Sequence, residues 1–154
     1  MALVKQFKDL RVYQQAFGAA TRIYELSKGW PAEERYSLTD QIRRSSRSVC
    51  ANIAEAWRKR RYPAHFVSKL SDSDAEAAET QVWPDFALDS GYITQQDHDT
   101  LYETYEYISG GLVKMMSNSN AWCGPSQLRE PSPVYYTHTP TPSYSDTGAD
   151  TDRE

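Results

Sequence analysis

The chain has 154 residues, 39% of them hydrophobic and 25% charged, with a formal net charge of −4. That is enough for one domain with its own core, in the composition of an ordinary soluble protein. Charged Lys5, Lys8, Asp9 and Arg11 close to the start argue against a secretion signal, no apolar run approaches the roughly 18 residues of a membrane span, and two cysteines (Cys50 and Cys123) make neither a disulfide framework nor a zinc pattern, so a cytoplasmic protein is expected.

The first predicted helix runs from Phe7 to about Lys28. Leu10, Tyr13, Phe17, Ala20 and Tyr24, at steps of 3, 4, 3 and 4, share one stripe and are expected to face the core. Gly29 is a plausible stop and Trp30-Pro31 a turn. The second helix starts near Ser37, with Asp40 as the partner acid of a capping box, and Leu38, Ile42, Val49, Ile53 and Ala56 form its apolar face. Small side chains at Ser45, Ser46, Ser48, Ala51 and Ala54 predict close approach of a neighbouring helix. Arg58 to Arg61 closes the segment.

A third helix begins at Pro63, a favourable first-turn position, and runs through Phe66, Leu70, Ala77 and Trp83 to Leu88, ending near Gly91. Pro84 lies inside it and removes a backbone donor, at a cost of about 3 kcal/mol in a regular helix. The pattern therefore predicts a kink over Thr80 to Pro84, or else two shorter helices. In the fourth segment Thr94 and Asp97 form a cap, and Leu101, Tyr105, Ile108, Leu112, Met115 and Ser119 keep the 4-3 alternation of a bundle seam. Gly110-Gly111 interrupts helix propensity without breaking phase, as expected where two helices pack closely. Four segments of similar length joined by short loops predict an all-α, up-and-down four-helix bundle over residues 1–122. Five of the eight prolines fall after Gly124 among Ser, Thr, Tyr and Asp, so residues 123–154 read as a disordered tail, with Tyr135, Tyr136, Thr139, Thr141 and Ser143 as positions open to modification.

Catalytic chemistry finds little support. The bundle di-metal motif Glu-x-x-His is absent, because Tyr62, Gln95 and Tyr135 stand three residues before His65, His98 and His138. No phosphate-binding glycine loop or nucleophile–histidine arrangement occurs, so no cofactor, no metal and no enzyme activity is expected. Charge is the sharper signal. Residues 1–69 carry 14 Lys/Arg against 6 Asp/Glu, whereas residues 70–122 carry one Lys against 10 acids. Arg43, Arg47, Arg58 and Arg61 fall on one stripe of the second helix, with Arg44 at its edge and Lys59 and Arg60 adding charge, a surface suited to a phosphate backbone. The competing reading pairs these arginines with Asp72, Glu76 and Glu79 on the third helix, within a subunit or between subunits. Of the aromatic residues, Tyr13, Tyr24 and Tyr105 read as core, and Trp57, Tyr62 and Trp122 as exposed interface positions.

The runs FKDLRVYQQA, ERYSLTDQIRRSSRSVCANIAEAW, SDAEAAETQVW and LDSGYIT, in this order over Phe7 to Met116, resemble the small four-helix bundle proteins encoded within intervening sequences of bacterial 23S ribosomal RNA genes. The resemblance implies a left-handed up-and-down bundle that assembles as a homopentamer, similar in fold to the accessory proteins of diversity-generating retroelements, which work with a reverse transcriptase and bind nucleic acid through a basic surface. It places Leu38, Thr39, Gln41, Ile42, Arg43 and Arg44 at the family's helix-two start, Asn52, Ile53, Ala54 and Glu55 in its most recognisable stretch, and Glu79 and Thr80 in its acidic helix-three motif. With these, Asn52, Glu55, Trp57, Glu76 and Glu79 are taken as motif and interface positions. Ala56-Trp57 departs from the usual glycine followed by a smaller or basic residue, and Pro84 from an apolar helix former. The expected protein is a non-enzymatic homo-oligomer that binds RNA or DNA through Arg43, Arg44, Arg47, Arg58, Lys59, Arg60 and Arg61. The alternative is a structural adaptor whose charged faces serve assembly or a reverse transcriptase.

Overall fold

The computed structural model describes residues 3–124, so the tail reading over 125–154 lies outside the described residues. Four long helices, α1 (Arg11–Ser27), α2 (Leu38–Arg58), α3 (Pro63–Asp89) and α4 (Gln95–Ser117), are followed by a short α5 (Ser119–Cys123). Single 3-10 turns at Phe7–Asp9 and Ala32–Glu34 lead into α1 and α2, and there is no strand among the described residues. Each long helix packs on its neighbours in sequence, and α1 closes on α4, while the diagonal pairs stay apart. With short connections between antiparallel neighbours, this is the expected up-and-down four-helix bundle.

Local signals explain most helix ends. Thr94 caps α4, its hydroxyl accepting the Asp97 N–H at 3.1 Å. At the end of α3, Gly91 has φ +76°, its N–H bonds to the Leu88 carbonyl at 3.0 Å and the Tyr92 N–H to the Ala87 carbonyl at 2.8 Å. That is a Schellman closure, and the left-handed φ is why glycine stands there. The start of α2 differs from expectation. Ser37 occupies the cap position but makes no side-chain cap bond. The Glu34 carboxylate accepts the Leu38 N–H instead, at 3.2 Å, while Asp40 turns to Arg44 at 3.5 Å. A preceding 3-10 turn brings Glu34 within reach of the orphan donor, which spacing inside the helix could not reveal.

The core stripe of α4 is as expected: Leu101, Tyr105, Ile108, Leu112 and Met115 are all buried. Ser119 falls beyond the end of α4 and begins α5. The stripe of α1 is a correction. Leu10 is buried, but Val12, Ala16, Ala19 and Ile23 continue the core, whereas Phe17 is 59% exposed and Tyr24 is 39% exposed. Two stripes one residue apart compete on this helix, and the one with smaller side chains wins because it lets the backbones approach. Gly111 shows how close: a Cβ there would lie 2.5 Å from Val12 Cγ1. The same addition at Gly110 meets nothing within 4 Å, so only the second glycine is required by packing.

Helix α3 runs unbroken through Pro84, which is fully buried, so the alternative of two separate helices does not hold. Pro84 costs the Thr80 carbonyl its helical donor. The Thr80 hydroxyl, also fully buried, lies 2.7 Å from the Glu76 carbonyl and 2.9 Å from Ser45 Oγ on α2. Ser73 Oγ donates to the Val49 carbonyl at 2.8 Å. These short polar side chains lock α3 onto α2.

Candidate nucleic-acid interface

The displaced aromatic stripe of α1 defines a groove on the surface. Tyr13, Phe17, Ala20 and Tyr24 face Arg47, Cys50, Ala51 and Ala54 of α2 across an open groove of about 500 Å³, with Phe7 at one end. Phe7 packs edge-on against Tyr13, with ring centroids 5.1 Å apart, and Tyr13 stacks toward Phe17 at 6.2 Å. Small side chains at Ala51 and Ala54 form the opposite wall, where no other helix among the described residues covers them. Burial pushes the Cys50 thiol up to about 11, so at neutral pH it is a protonated, poorly nucleophilic wall residue.

Cations gather at the Tyr24 end. Arg43 lies over the Tyr24 ring at 4.7 Å, Lys28 at 4.9 Å and Arg47 at 5.8 Å. Arg43 is fixed further by its Nε, which donates to Ser27 Oγ at 2.8 Å. The arrangement holds three positive side chains around one aromatic ring. Arg44 points away and pairs with Asp40.

The remaining basic residues form a second cluster at the other end of α2. Arg58, Arg60 and Arg61 line a recess of about 370 Å³ with Lys5, Gln6, Phe7 and Trp57. Arg60 stacks 3.4 Å from the centre of the Trp57 ring and donates from Nε to the Trp57 carbonyl at 2.8 Å. Partial burial draws its pKa below the ordinary arginine value. Trp57, expected at an exposed position, is buried against the core and meets Trp122 edge-on at 6.3 Å. Its indole is too large to leave in water beside α5, so it becomes the floor under Arg60. Trp122 itself is half-buried, and half-buried Tyr62 sits against His65 at 5.4 Å. Lys59 lies between recess and groove, beside Phe7 and Ala54.

The acidic stripe of α3 does not neutralise these arginines within the chain. Lys69 takes Glu55 at 2.9 Å and Asp72 at 3.5 Å. Glu76 is left beside Glu79 and Asp72, and burial first, then those neighbouring carboxylates, push its pKa up. Among the described residues Arg58, Lys59 and Arg61 have no ion-pair partner. Asn52 turns back on its own helix, donating to the Ser48 carbonyl at 3.0 Å. Among the described residues no group of three His, Cys, Asp or Glu side chains is placed to hold a metal ion. No helix of the described residues is long and apolar enough to cross a membrane.

The sequence stripe of arginines on α2 is thus divided between two places, and the aromatic residues that accompany it were legible as a stripe but assigned to the wrong side of α1. A small all-helical bundle with an open, cation-rimmed aromatic groove among its described residues is the class that fold and surface define. The chain belongs to the family of 23S rRNA-intervening sequence proteins, whose model matches residues 8–114. It is also similar to a crystal structure from Bacteroides thetaiotaomicron described as a protein of unknown function from the S23 ribosomal protein family, at 29% identity and a TM-score of 0.63, over 70% of this chain and 96% of that one. No curated protein matches it significantly.

Proposed function

We propose that this protein is a non-enzymatic, nucleic-acid-associated accessory protein that holds a single strand of RNA or DNA in the groove between α1 and α2. The observation that carries the reading is the convergence of Arg43, Arg47 and Lys28 on Tyr24 at the end of an uncovered row of aromatic side chains. Bases stack on any aromatic face, for about 1–3 kcal/mol each, while cations beside them neutralise phosphates and release counterions. Both groups are needed, and here they share one surface. A cytoplasmic location accords with this reading.

The experiment is a salt series of single-stranded RNA binding by fluorescence anisotropy. The native chain binds at low salt with a linear loss of log affinity against log salt, and Arg43→Ala with Arg47→Ala both weakens binding and flattens the slope, by about 0.7 per phosphate contact removed. Salt-independent binding, or a slope the double variant leaves unchanged, overturns the proposal.

A second reading rests on Asp72, Glu76 and Glu79, which no arginine among the described residues neutralises. That stripe would face the basic face of another copy, in a homo-oligomer such as the pentamer expected above, or a basic patch on a protein partner such as a reverse transcriptase. Under it, Arg43→Ala with Arg47→Ala lowers the assembly mass in light scattering.

A further inference from the structure

The recess beyond the groove differs from it in chemistry. The groove is walled mainly by aromatic and small apolar side chains, with cations at its far end; the recess gathers four cations, Lys5, Arg58, Arg60 and Arg61, around a volume at the small end of ordinary ligand sites. No described acid is paired with any of the four. Asp9, the acid nearest Lys5 in sequence, spends its carboxylate on the backbone N–H groups of Lys5 and Gln6, both at 3.0 Å. Glu55 is taken by Lys69. The C-terminal carbonyls of α2 would oppose an anion, yet those of Glu55 and Ala56 accept the Lys59 N–H and that of Trp57 accepts Arg60 Nε. Arg60 is thereby fixed in place before anything binds.

Such a set of charges exceeds what one internal phosphodiester, with its single negative charge, requires. A phosphate monoester carries about −1.5 to −2 at neutral pH and offers three acceptor oxygens, which suits several guanidinium donors at once. Phe7 connects the two features, since its ring lines both the recess and the near end of the aromatic row. We propose that the recess binds the terminal phosphate monoester of a nucleic-acid strand, with the adjoining base on Phe7 and the following bases running along Tyr13 and Phe17 toward Tyr24. This rests on the groove reading above and adds to it a strand end and a direction.

The test uses the full chain and three single-stranded RNAs of one sequence, bearing a 5′ phosphate, a 3′ phosphate or neither, each with an internal fluorophore. One phosphorylated end binds roughly tenfold more tightly than the unphosphorylated strand, the size of one charge-assisted hydrogen bond, and which end it is gives the polarity. Arg58→Gln with Arg61→Gln, both exposed, brings that ratio to near one. Arg43→Gln with Arg47→Gln weakens all three strands together and leaves the ratio standing. Three strands of equal affinity, or a ratio that survives Arg58→Gln with Arg61→Gln, overturn the recess proposal alone. No binding of any strand overturns the groove reading and this proposal with it.

Discussion

Two flanks of α2 carry similar small side chains and meet opposite fates. Toward α3, Ser45 is buried and its hydroxyl contacts Thr80, while Ser73 of α3 bonds to the Val49 carbonyl. Toward the outer flank of α1, Ala51 stays exposed and Ala54 half-buried, opposite Tyr13, Phe17 and Tyr24. Small residues therefore mark a close helix contact only where the facing helix is small as well, as α3 is at Ser73, Ala77 and Thr80. Where the facing side chains are aromatic and lie beside the contact line, the same small residues leave a groove. The first flank is a structural seam and the second is a surface available to a partner.

Volume added to each flank separates them. Ser73→Leu puts three extra carbon atoms into a site with no accessible surface and removes the bond to the Val49 carbonyl, so a stability loss of about 3 kcal/mol is expected in urea unfolding. Ala51→Leu, into the open groove, changes stability by no more than about 0.5 kcal/mol. Equal losses for the two would erase the distinction between seam and surface. The contact of α1 with α4 gives a smaller and internally controlled version. Gly111→Ala forces a Cβ against the branched, buried Val12 and should cost about 2 kcal/mol, whereas Gly110→Ala, with open space around it, gains up to about 1 kcal/mol of helix propensity. Thermal melts of the two variants side by side check the opposite signs.

The bundle was legible because its strongest signals are periodic: the seam of α4, the apolar face of α2 and the proline and glycine at the ends of α3 all stand where spacing puts them. The α1 stripe was not, because two apolar stripes one residue apart satisfy the same period, and only the partner helix decides between Phe17 and Ala16. Size misled there, since aromatic side chains are the usual core payload. The basic residues were legible as a set. Their division into a groove rim at Arg43 and Arg47 and an end recess at Arg58, Arg60 and Arg61 was not, because Arg60 and Arg61 lie past the end of α2 and a helical wheel does not apply to them. Lys5 and Phe7 come from a segment distant in sequence, and spacing could not bring them to the recess. Trp57 shows the same limit, since its burial depends on Trp122 from α5.

The seam between α3 and α4 adds an electrostatic case, smaller than the packing effects. His98 on α4 places Nε2 2.6 Å from Asp85 of α3 and Nδ1 2.9 Å from the adjacent Asp99. The hydrogen bond to Asp85, then that to Asp99, raise the His98 pKa, and the His98 bond, followed by that of Gln95, lowers the pKa of Asp99. For the histidine, stability is fully present below its unfolded value of about 6.5 and is lost as pH rises through the higher folded value. For the aspartate, stability is present above about 3.9 and is lost as pH falls through its lower folded value. Together they favour the folded chain most between roughly pH 4 and 6.5. Both carboxylates are more than half exposed, so screening keeps the effect small, on the order of 2 °C in Tm. His98→Gln should therefore melt below the native chain at pH 5.5 and together with it at pH 8.5. A deficit that grows with pH would mean that the neutral imidazole, bonding to Asp85 as a simple donor, is the form that holds α3 to α4.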